Sequence, residues 1–70
     1  MKKRSVNIHG HQTSITLEDE FWHALKSAAQ KRGLSLNKII AEIDDARAPE
    51  QNLSSAIRIY ILKSLTEESL

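Results

Sequence analysis

The sequence predicts a mainly α-helical domain with one short N-terminal strand, completed as an intertwined dimer through an intersubunit antiparallel β-ribbon. Three observations lead there. The chain has 70 residues and no Cys. It has one six-residue alternation before its helical part, Gln12 to Leu17, and three later segments with apolar residues at helical spacing. A chain this short buries a modest share of the surface it exposes when unfolded. Without Cys it has neither disulfides nor thiolate zinc ligands, so self-association is the expected source of extra core.

The strand comes first. From Gln12 to Leu17, Thr13, Ile15 and Leu17 point one way, and Gln12, Ser14 and Thr16 the other. The earlier alternation Val6-Asn7-Ile8-His9 either extends the strand past a bend at Gly10 or forms a separate extended arm, and residues 1–10 are read as a basic N-terminal arm. The first helix begins near Glu18, where Glu18, Asp19 and Glu20 complement the positive end of the helix dipole. Phe21, Leu25, Ala28 and Ala29 recur along it, and Lys31-Arg32-Gly33 ends it. Ser35 caps a second helix with the stripe Leu36, Ile39, Ile40 and Ile43, and Pro49 closes that segment or the turn after it. A third helix starts between Asn52 and Ser54 and runs to about Thr66. One of its faces carries Leu53, Ala56, Ile57, Tyr60, Ile61 and Leu65, and Ile59 and Leu62 lie outside that face as surplus apolar surface.

The charge is uneven. Residues 1–17 hold Lys2, Lys3 and Arg4 and no acid, while the rest of the chain holds seven bases and nine acids. A positive N-terminal end, doubled in a dimer, suits a phosphate backbone. No apolar run is long enough to cross a bilayer, and Lys2-Lys3-Arg4 is followed by polar residues rather than a signal-peptide core. The chain is therefore read as soluble and cytoplasmic.

A lone strand followed by helices leaves its backbone groups unpaired, so pairing with its own copy across a two-fold axis is expected. Ile15, Leu17, Phe21, Leu25, Ile39, Ile40 and Ile43 would then form the dimer core. Gln12, Ser14 and Thr16 would face outward from a ribbon that fits the major groove, where Gln bonds adenine and hydroxyls meet several base edges. His9, His11 and His23 suggest a metal site only weakly, since there is no Cys and no well-spaced carboxylate; no metal or cofactor is expected. Trp22 suits packing better than base stacking in so small a chain. The acidic pairs sit at helix ends or in solvent, and a chain of this length forms no deep pocket, so an enzyme is not expected.

Thr13-Ser14-Ile15-Thr16-Leu17-Glu18, then a helix, then Lys31-Arg32-Gly33-Leu34-Ser35 and a second apolar helix together resemble the ribbon-helix-helix superfamily over roughly residues 11–47. The segments His9 to Ser14 and Asn52 to Arg58 resemble a bacterial subgroup of small stand-alone members with an added third helix, here residues 48–70 with the tail. The resemblance implies dimeric repressors or antitoxins that read DNA with the ribbon. It assigns base reading to Gln12, Ser14 and Thr16, and a phosphate clamp to the backbone N–H groups of Ser35, Leu36 and Asn37, with Lys38 close by. The chain departs from the family pattern at Gln12, where many relatives carry a base, and at Thr13, where an apolar residue is usual. Two functions follow as expectations. One is a transcriptional regulator binding double-stranded DNA as a homodimer, with higher assembly on DNA left open; the other is a dimeric interaction module whose ribbon or third helix binds another protein.

Overall fold

In the computed structural model, which describes residues 2–69 and the side chains of 2–67, strands β1 (Lys2–Ile8) and β2 (His11–Leu17) precede helices α1 (Asp19–Arg32), α2 (Leu36–Ala46) and α3 (Leu53–Ser69). The expected order of a ribbon followed by three helices is present. Residues 1 and 70, the outermost residues of the expected arm and tail, lie outside the description.

The ribbon differs from the expectation in its origin. β1 pairs antiparallel with β2 of the same chain, from Lys2 opposite Leu17 to Ile8 opposite His11. The stretch expected as a basic arm is thus observed as the second strand, and the chain completes a two-stranded sheet without a twin. The connection is two residues long, and both have positive φ, 51° at His9 and 79° at Gly10. This is the turn whose twist matches that of the flanking strands. Glycine reaches that conformation without penalty, and His is among the few side chains enriched there.

The register decides the faces. Cross-strand partners share a face, so Leu17, Ile15, Val6 and Ile8 all point at the helices and are at most 6 % exposed. Thr13 shares this side but remains exposed near the turn. The core adds Leu25 and Ala29 from α1, Ile39, Ile40 and Ile43 from α2, and Ala56, Ile57 and Ile61 from α3, with Phe21 partly buried against it. All seven residues expected in the dimer core therefore pack within one protomer.

Helix ends follow their local chemistry. Glu18 occupies the N-cap of α1 with extended backbone, and Gly33 ends the helix at φ 68°. The Ser35 hydroxyl accepts from the Lys38 N–H at 3.2 Å, and the Asn52 side chain accepts from the Ser55 N–H at 2.8 Å, capping α2 and α3. Arg32 donates to the Tyr60 hydroxyl at 3.2 Å and to Glu42 at 2.8 Å, joining all three helices; the Tyr60 bond first and the Glu42 bond second hold its guanidinium pKa above the ordinary value. Arg47 donates to Asp44 and to the Gln51 carbonyl, tying the end of α2 to the turn that follows. Leu65, expected on the packed face of α3, borders a groove with Ala24 and Ala28 of α1 but is exposed, as are Ile59 and Leu62.

Candidate nucleic-acid interface

The ribbon's outer face consists of three cross-strand pairs: Lys3 with Thr16, Ser5 with Ser14, and Asn7 with Gln12. Lys3, Ser5, Asn7, Gln12 and Ser14 are exposed and Thr16 is half-buried. All six side chains carry hydrogen-bonding groups, Lys3 is the single cation, and there is no acid. The face thus has donors and acceptors suited to base edges and only a weak field of its own.

Gln12, Ser14 and Thr16 lie on this face in a row. Ser5 and Asn7 are additions that sequence reasoning missed, although the alternation of Val6, Asn7 and Ile8 ahead of a Gly held the signal. The three N-terminal bases part company. Lys3 points outward, whereas Lys2 stands opposite Leu17 on the other face, beside Glu18, Asp19 and Glu20. Arg4 turns inward opposite Ile15; its guanidinium lies 4.2 Å from the centre of the Trp22 ring and 3.4 Å from Asp19. A phosphate would have to draw Arg4 off both partners, and Arg4 already covers one face of the Trp22 ring.

All four arginines are bound to acids of the same chain: Arg4 to Asp19, Arg32 to Glu42, Arg47 to Asp44 and Arg58 to Glu18. Each guanidinium would have to leave a carboxylate to meet an anion.

The start of α2 has free backbone donors at Leu36 and Asn37, since the Ser35 hydroxyl already serves Lys38. This end is removed from the hairpin turn. His9 meets Asp45, the second-to-last residue of α2, with 2.9 Å between Nε2 and Oδ1, so the donors lie about 13 Å further along the helix. Of the three histidines, His9 has its donor nitrogen within 4.8 Å of carboxylate oxygens of Asp44 and Asp45. Both carboxylates already have partners, Arg47 on Asp44 and His9 on Asp45. An open cleft of about 350 Å³ between α2 and α3 is bordered by Glu42, Ile59, Tyr60 and Lys63, with no His or Ser on its walls. Among the described residues no helix is long and apolar enough to cross a membrane.

A family model described as a ribbon-helix-helix domain matches residues 1–65. No curated protein and no solved structure matches the chain.

Proposed function

Because the chain belongs to the ribbon-helix-helix domain family, we propose that it is a cytoplasmic, sequence-specific DNA-binding regulator that acts as a homodimer and lays its ribbon in the major groove. The observation that carries this reading is the outer face of the hairpin, where Asn7 and Gln12 stand side by side, with Ser5, Ser14, Thr16 and Lys3 around them. Carboxamides bond adenine bidentately and hydroxyls adapt to several base edges, so the pairs form a polar reading head. Lys3, Lys2 and Lys38, with the Ser35–Asn37 end of α2, are the phosphate contacts of this reading. Arg4 drops out of that set because its charge is spent on Trp22 and Asp19. The role is one of binding and not of catalysis.

Dimerisation no longer follows from an unpaired strand, since β1 supplies the partner. What supports it is the outer edge of β2, which pairs with no strand among the described residues; a second hairpin added there would give a four-stranded sheet with two adjoining reading faces. Genomic fragments captured by the tagged protein and sequenced would define the operator. Gln12→Ala and Asn7→Ala should each relax preference at one fixed position, by about 1–3 kcal/mol against the wrong base. Unchanged preference in both variants at a mapped operator would end the base-reading assignment.

One observation favours the second reading, an interaction module: Ile59, Leu62 and Leu65 are 42 %, 63 % and 53 % exposed along α3. Leu62→Lys should leave DNA binding intact if the ribbon is the functional surface. It should abolish function if α3 is.

A further inference from the structure

At Thr16 the outer edge of β2 changes character. In a hairpin with a two-residue turn, Ile8 and His11 face each other through hydrogen bonds. The alternation then directs the backbone groups of Gln12, Ser14 and Thr16 away from β1. At Gln12 and Ser14 these groups meet no partner among the described residues. At Thr16 both are taken by α3. The N–H donates to the Ser54 hydroxyl at 3.1 Å, and Arg58 Nη2 donates to the carbonyl at 3.2 Å. Glu18 aims the Arg58 guanidinium, accepting from Nε at 2.9 Å and from Nη2 at 3.3 Å. Two residues one helical turn apart on α3 thus imitate a neighbouring strand at a single residue, while the rest of the edge stays open.

We infer that α3 is a releasable clamp on the β2 edge: Ser54 and Arg58 compete with the β2 strand of a second copy for the backbone of Thr16. The inference rests on the homodimer reading above.

The registers explain why the clamp matters. A two-fold pairing of β2 with its twin about Thr13 sets Gln12 against Ser14 and leaves Thr16 to α3. A pairing about Ser14 sets Ser14 against itself and each Thr16 against a Gln12, adding backbone hydrogen bonds, but only after Ser54 and Arg58 let go. With the clamp closed the edge is short, which is one of the ways single chains avoid unwanted strand addition. With it open the edge is half as long again. The Arg58–Glu18 pair is part-buried, with 28 % and 38 % of the two side chains exposed, so water reaches both charges when they separate.

The test is sedimentation of the full chain over a range of concentrations, for the wild type, Ser54→Ala and Arg58→Met, with a thermal melt of each to show that it is folded. The clamp predicts that both variants dimerise at least tenfold more tightly than the wild type. It also predicts that the Thr16 amide, protected from hydrogen exchange at every concentration in the wild type, becomes protected in Ser54→Ala only where the dimer forms. A residue that merely supports the fold would leave dimerisation unchanged or weaker, and that result overturns the clamp. If Arg58→Met fails to fold, Ser54→Ala, which removes one hydroxyl, decides the matter alone. Wild type and variants that all remain monomeric at every concentration overturn the homodimer reading itself, and the clamp with it. A wild-type dimer that both variants leave unaltered overturns the clamp only.

Discussion

Lys3 and Arg4 are neighbours in sequence with the same charge, yet the fold predicts opposite behaviour on DNA. Alternation along β1 sends Lys3 to the ribbon's outer face and Arg4 to the inner one, where Trp22 and Asp19 hold it. Each phosphate contact contributes about 0.9 to the slope of log K against log salt. With one Lys3 per protomer, Lys3→Ala should flatten the slope of a dimer by about 1.8. A roughly fourfold rise in salt then costs the wild type about tenfold more affinity than the variant. Arg4→Ala should leave the slope alone and act on stability instead. It removes a partly covered cation–π contact worth about 1 kcal/mol, which lowers the melting temperature by roughly 4–8 °C in a domain of this size. Fluorescence anisotropy with a labelled operator from about 50 to 200 mM salt, alongside thermal melts, measures both quantities. Equal flattening of the slope by folded Arg4→Ala and Lys3→Ala, or an unchanged slope in Lys3→Ala, refutes this division of roles.

The turn, the core and the Glu18–Arg58 pair each give a measurable outcome. Gly10→Ala should lower stability by about 1 kcal/mol because the residue sits at φ 79° with open space around it, so backbone strain and not collision is the cause; urea titration reads the difference. Ile57→Ala should cost about 2–5 kcal/mol, since Ile57 is fully buried between the ribbon and the other helices; a loss under about 1 kcal/mol would show that α3 is an appendage and not part of the core. The Arg58 hydrogen bonds hold the Glu18 carboxyl below its ordinary pKa, with Lys2, Asp19 and Glu20 as its charged neighbours. A depressed carboxylate pKa means that its stabilisation is complete above the ordinary glutamate range and is lost as pH falls through the lower folded value. Glu18→Gln should therefore abolish that part of the acid-side drop in melting temperature, and an identical acid limb in the variant would refute the assignment.

Local signals accounted for much of the architecture. Acids at Glu18 to Glu20, Gly33 after two cations, Ser35 before an apolar stripe and Asn52 before α3 each mark a helix end through chemistry that acts within a few residues. The helix order was readable for that reason. The outward row Gln12, Ser14 and Thr16 was readable too, because a period of two fixes which side chains share a face once Ile15 and Leu17 are buried.

The partner of the strand was not readable in the same way. His9-Gly10 is a less usual turn pair than Asn-Gly or Asp-Gly, and β1 carries three bases ahead of Val6 and Ile8, so it reads as a charged arm until its register with β2 is known. The register also separates Lys3 from Arg4 and brings Ser5 and Asn7 beside Ser14 and Gln12.

Where the helices begin and end, which residues are apolar enough to be buried, and that one strand face is polar can all be read from the order of the amino acids. These properties depend on neighbours close along the chain. Three features emerge only on folding: β1 closes the sheet, the expected dimer core is already filled within one protomer, and Ser54 and Arg58 reach Thr16 from about forty residues away. Contacts at that separation are selected by the packing of all elements together, and no local pattern encodes which distant hydrogen-bonding group will meet a given strand edge.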